Sequence, residues 1–69
     1  MIKTIDHLQW RIRCPSYYEL EGHPQVSIAY LGSALGWHIT APDTMGRPVT
    51  RPSPSREHAI ALVSRCFDA

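Results

Sequence analysis

The sequence predicts a small α+β domain: an antiparallel three-stranded sheet, with at most a short fourth strand at its edge, packed against one C-terminal helix in the order β-β-β-α. Three observations predict it. Apolar and polar residues alternate over residues 7–14, a Gly32-Ser33 pair divides two further alternating runs, and apolar residues return at helical spacing after Ser55. The 69 residues allow one domain, 1–69. A chain of this length buries only about 60% of the surface it exposes when unfolded, so extra burial by dimerisation would help it.

The first strand is expected over about 7–14. Leu8, Trp10, Ile12 and Cys14 alternate with His7, Gln9, Arg11 and Arg13, the pattern of a half-buried strand. Residues 1–6 extend it at most weakly, because the alternation slips there. The hairpin follows, with strands over about 25–31 and 34–41. Gly32-Ser33 is a two-residue turn pair, since glycine supplies positive φ at no steric cost. Folding about it sets Tyr30 opposite Leu35, Ile28 opposite Trp37 and Val26 opposite Ile39. One face then collects Val26, Ile28, Tyr30, Leu35, Trp37 and Ile39.

Residues 42–54 read as an extended proline-rich connection, because Pro48, Pro52 and Pro54 cannot donate to a ladder. The helix is expected over about 55–67, with Ser55 as N-cap and with Glu57 and Arg65 complementing the dipole. Ala59, Leu62, Val63 and Cys66 form its apolar stripe, bordered by Ile60 and Phe67. The expected core is Leu8, Trp10, Ile12, Val26, Ile28, Tyr30, Trp37, Ile39, Ala59, Leu62, Val63 and Cys66.

Composition excludes several classes. Seven basic against six acidic residues, a net charge of +1, leaves no basic coat or acidic tail, and 43% hydrophobic residues is too many for a disordered chain. No apolar run reaches the roughly 18 residues of a membrane span. Asp6 stands where an export signal would be apolar, and two cysteines are too few for a secreted disulfide scaffold. The expected location is the cytoplasm.

Three segments are candidates for function. The polar sheet face is expected to present Gln9, Arg11, Arg13 and His38, beside Ser27 and Thr40, with no acid among them. Arginine suits bidentate contact with phosphate and guanine edges, and some small sheets lay such a face in the major groove. A solvated sheet face is the plain alternative, and the low net charge favours it. The segment from Cys14 to Pro24 reads as a loop whose Tyr17, Tyr18, Glu19 and Glu21 make an acidic-aromatic contact for a protein partner. Arg47 and Arg51, in the proline-rich connection, make a second, basic contact or belong to a linker.

Chemistry finds no foothold in the motifs. His7, His23, His38 and His58 share no ligand spacing with Cys14 or Cys66, so no metal is expected. No nucleophile elbow or glycine-rich phosphate loop occurs, and no cofactor is expected. Both cysteines fall on apolar faces and read as packing residues, able to pair only where the helix crosses the first strand. The expectation is a non-enzymatic protein that docks on another macromolecule, foremost a protein. Its size fits the accessory or inhibitor proteins of phages and mobile elements. Nucleic-acid binding through the arginine face is the alternative, and a homodimer pairing edge strands a further one.

Overall fold

The computed structural model describes residues 1–67 of the 69, so the last two residues of the expected domain lie outside the described ones. The chain forms β1 (Ile2–Ile5), β2 (Leu8–Cys14), β3 (Tyr17–Leu20), β4 (His23–Tyr30), β5 (Trp37–Pro42), β6 (Pro48–Ser53) and α1 (Arg56–Cys66). The six strands make one antiparallel meander in the order β1-β2-β3-β4-β5-β6. The expected three-stranded sheet is therefore wrong: the protein is α+β with a six-stranded sheet and one C-terminal helix.

Three strands account for the difference. β1 is not an extension of the first strand but its hairpin partner, with Ile5 facing Leu8 across the Asp6-His7 turn. Asp6 holds a left-handed φ of 58°, which aspartate tolerates better than most residues. β3 occupies the segment expected to be a loop. Pro15-Ser16 and Glu21 with Gly22 act as turns on either side of four strand residues. β6 is a full edge strand rather than a connection. Pro48 and Pro52 are four residues apart, so their blank nitrogens face the same side of the strand, which an edge accommodates.

The central hairpin keeps its faces but not its turn. Tyr30 faces Trp37 and Ile28 faces Ile39, two positions away from the expected register. The turn spans four residues, Gly32 to Leu35, closed by Leu31 N–H donating to Gly36 C=O at 2.9 Å. Gly36 N–H donates to Gly32 C=O at 2.7 Å, and both glycines hold positive φ, 101° and 72°. An even shift leaves every side chain on its side of the sheet. Leu31, Ala34, Leu35 and Gly36 drop out of the expected strands, and Leu31 and Leu35 stand exposed.

The helix caps as expected, Ser55 Oγ accepting from His58 N–H at 3.0 Å. Its buried face is Ala59, Ile60, Val63 and Ser64, not the stripe through Leu62 and Cys66. Ser64 explains the rotation: its hydroxyl donates to the Asp6 carboxylate at 3.0 Å, tying the helix to the β1–β2 turn. Trp10, Tyr18, Leu20, Val26, Ile28 and Ile39 meet this face from the sheet, and Leu8, Ile12, Trp37 and Phe67 pack around them. Trp10 is fully buried, and its indole N–H finds no acceptor among the described residues. That costs about 1–3 kcal/mol, less than the roughly 4–6 kcal/mol that burying an indole returns at about 25 cal/mol per Å².

Candidate functional site

The meander gathers its turns at two opposite ends, and the expected site residues distribute among those ends and the two faces. On the face away from the helix, β3 inserts between β2 and β4. Arg11 comes to lie opposite Glu19, and directly opposed residues share a face. The face therefore carries acids, against expectation. Arg11 Nε and Nη2 donate to the two Glu21 carboxylate oxygens at 3.0 and 3.2 Å. Arg13 Nε donates to Glu19 at 2.6 Å, and that carboxylate holds the Arg13 proton more firmly than usual. Arg11 and Arg13 of the expected arginine face and Glu19 and Glu21 of the expected acidic contact form one neutral Arg–Glu ladder.

The rest of that face is small and polar. Ser27 and Ala29 lie opposite Thr40 and His38. Thr40 and Thr50 share a hydroxyl hydrogen bond of 2.8 Å, and His38 Nδ1 lies 3.4 Å from the Gly36 carbonyl oxygen. Gln9 is exposed next to β1, opposite Thr4.

The two tyrosines part company. Tyr17 points outward and is exposed, while Tyr18 is 6% exposed in the core. Arg56 Nη1 donates to the Tyr18 hydroxyl at 2.9 Å, and its guanidinium lies 5.7 Å from the ring centroid. Tyr18 therefore anchors the first turn of the helix from within the core. Arg47 and Arg51 also separate. Arg47 closes the β5–β6 turn, where its N–H donates to Asp43 Oδ1 at 2.9 Å. Arg51 lies opposite Ile39 on the helix side, at the rim of a groove of about 230 Å³ lined by Val26, Ala41, Val49, Leu62 and Phe67.

The cysteines are exposed rather than packed. A register irregularity between Ile12 and Cys14 ends the inward alternation before Cys14, and the rotation of the helix turns Cys66 outward. One ends β2 at one end of the sheet; the other ends the helix near the opposite end, so they do not pair. Cys14 Sγ lies 3.4 Å from Ser16 Oγ, and that hydrogen bond lowers the thiol pKa, helped by backbone N–H groups of Ser16 and Tyr17. Among the described residues no three His, Cys, Asp or Glu side chains converge on a metal position.

The surface that sequence reasoning missed is one end of the sheet. Among the described residues eight large apolar side chains stand exposed, and six of them, Met1, Ile2, Tyr17, Tyr30, Leu31 and Leu35, lie at or next to the end where β1, β3 and β5 begin; the other two are Met45 and Leu62. Tyr30 N–H donates to the Ser16 carbonyl at 2.8 Å, joining the β2–β3 turn to the end of β4. The Tyr30 ring tilts against Trp37 at 5.4 Å, and Trp37 meets Tyr18 edge-on at 6.4 Å. The signal was in the sequence: no Asp, Glu, Lys or Arg occurs between Glu21 and Asp43. Comparison with protein-family models, curated proteins and solved structures finds no match to this chain.

Proposed function

We propose that this is a small non-enzymatic binding protein that docks on another protein through the uncharged end of its sheet. One observation carries the reading: Tyr30, Leu31 and Leu35 stand exposed around a half-buried Trp37, with no ionised side chain in the segment that bears them. Tyrosine and tryptophan are enriched at interface hot spots, and charged residues are depleted from interface cores. The Arg–Glu ladder supports a protein over a nucleic acid as partner, because Arg11 and Arg13 each engage a carboxylate. Tyr17 flanks the same end and adds to the contact. The accessory or inhibitor role of phage and mobile-element proteins is retained within this proposal. So is the cytoplasm as its location, where two unpaired thiols would stay reduced. No helix of the described residues is long and apolar enough to cross a membrane.

Affinity capture from the source cells, comparing the natural chain with Leu31→Ser/Leu35→Ser, tests the reading. Both positions are surface residues, so the variant keeps its melting temperature. The proteins held by the natural chain should fall by about tenfold or more. Their retention at the natural level would remove this end of the sheet as the docking surface.

A further inference from the structure

We propose that β1 is a second docking edge, which accepts an extended segment of another protein as a seventh, antiparallel strand with an acidic side chain set against Lys3. The sheet has two edges, and they are unequally protected. β6 carries Pro48 and Pro52, which remove donors from that edge. β1, Ile2-Lys3-Thr4-Ile5, has no proline.

The hydrogen bonds between β1 and β2 fix which of its backbone groups are free. Ile12 N–H donates to Met1 C=O at 2.7 Å, and the Met1 amino group reaches Ile12 C=O at 3.5 Å. Met1 and Ile12 are thus a hydrogen-bonded pair, and in an antiparallel ladder such pairs alternate. Lys3 with Trp10 and Ile5 with Leu8 bond inward to β2. Ile2 and Thr4 therefore direct both N–H and C=O away from the sheet, an open four-group template.

Two features choose the occupant. A second copy pairing antiparallel through all four groups must set Ile2 against Thr4 of the other chain, and this places the two Lys3 side chains directly opposite. Like charges so placed repel, which disfavours self-pairing. Lys3 has no acidic partner within 4 Å among the described residues, whereas Arg11, Arg13 and Arg56 each have one. Beside Lys3 on the helix side, the helix stops short of β1 and leaves a cleft of about 420 Å³ lined by Ile5, Asp6, Tyr18, Arg56, Glu57 and Ile60. Glu57 is held by Arg56 and Asp6 by the Ser64 hydroxyl, so Lys3 is the cation of the cleft without an acidic partner among the described residues. The helix-side side chains of an added strand enter that cleft, the acid next to Lys3. This mode of recognition takes affinity from main-chain bonds and selectivity from alternate side chains.

The probes are two capped pentapeptides, Thr-Val-Glu-Val-Thr and the same peptide with lysine at its centre, titrated at millimolar concentration into isotopically labelled protein. The amides of Ile2 and Thr4 exchange rapidly in the free protein and become protected by the glutamate peptide. The lysine peptide binds about two- to five-fold more weakly, and Lys3→Glu inverts the order. Thr4→Pro removes one outward N–H while leaving the β1–β2 bonds in place, and it abolishes binding without lowering the melting temperature. Leu31→Ser/Leu35→Ser leaves binding unchanged, so this edge stands or falls apart from the uncharged end. Absence of protection at Ile2 and Thr4, or a peptide preference that Lys3→Glu does not invert, would overturn the proposal. So would a dimer seen by light scattering and dissolved by Thr4→Pro, which would make a second copy the occupant.

Discussion

At one end of the sheet the chain turns through Asp6-His7, Glu21-Gly22 and the loop from Asp43 to Arg47, and the last turn of the helix closes over it. His7 Nε2 lies 3.4 Å from the Phe67 carbonyl oxygen, and the His23 ring packs on the Phe67 ring at 4.6 Å. At the other end the chain turns through Pro15-Ser16 and Gly32 to Leu35, and Tyr30, Leu31 and Leu35 are left uncovered. The helix spans both ends, so its presence does not explain the difference. Its sequence does. The first turn is Arg56-Glu57-His58, which offers no apolar cover, while Val63 and Phe67 farther along do. The end that bears Asp6, Glu21 and Asp43 is closed by the last turn of the helix, and the end that bears Tyr30, Leu31 and Leu35 is left open.

The largest expected effect separates closure from opening by stability. Ile60→Ala, beneath the helix, should lower the unfolding free energy by about 2–5 kcal/mol, whereas Leu35→Ser should change it by no more than about 0.5 kcal/mol. Urea denaturation measures both, and comparable losses would mean that the open end is part of the core. Next comes the tie at the charged end. Ser64→Ala should cost about 1 kcal/mol. A double-mutant cycle with Asp6→Gly, which keeps the left-handed φ and removes the acceptor, should show that most of this is the mutual hydrogen bond, and additive costs would deny the tie its role. The smallest effect concerns reactivity at the open end. The Ser16 hydroxyl favours the Cys14 thiolate, so Cys14 should react with a disulfide reagent at lower pH than an ordinary cysteine. In a Cys66→Ser background, Ser16→Ala should move the pH–rate midpoint upward, because the thiol then loses the hydrogen bond that stabilises its charged form. An unmoved midpoint would assign the shift to the backbone alone.

The elements legible in the sequence were those with a long local signal. β2 shows period two over seven residues, the β4 and β5 faces survive a change of turn, and α1 begins at its serine cap. Of the three strands that account for the difference, β1 and β3 are four residues each, and the six residues of β6 include Pro48 and Pro52, which made it read as a connection. In β1, Lys3 occupies a helix-side position and breaks the alternation. In β3, Tyr17 and Glu19 alternate with Tyr18 and Leu20, but two acids and two tyrosines in a short segment also compose a plausible loop. The uncharged end was legible as a gap in the charge pattern, yet that gap became a surface only when the turns were known. The Arg–Glu ladder could not be read locally, since Arg11 and Glu21 meet only if the intervening chain forms a hairpin.

By itself the sequence determined the side to which each residue of the central hairpin points, the start of the helix and the balance of charge. These follow from periodicity, a capping side chain and composition, all of which act within a few residues. Tertiary structure decided which residues those faces meet. It placed β3 between β2 and β4, which converted two expected contact surfaces into one neutral ladder. It rotated the helix toward Asp6, and it left β1 with an unpaired edge. Each of these depends on pairing between segments distant in sequence, whose free energy belongs to both partners and is written in neither alone.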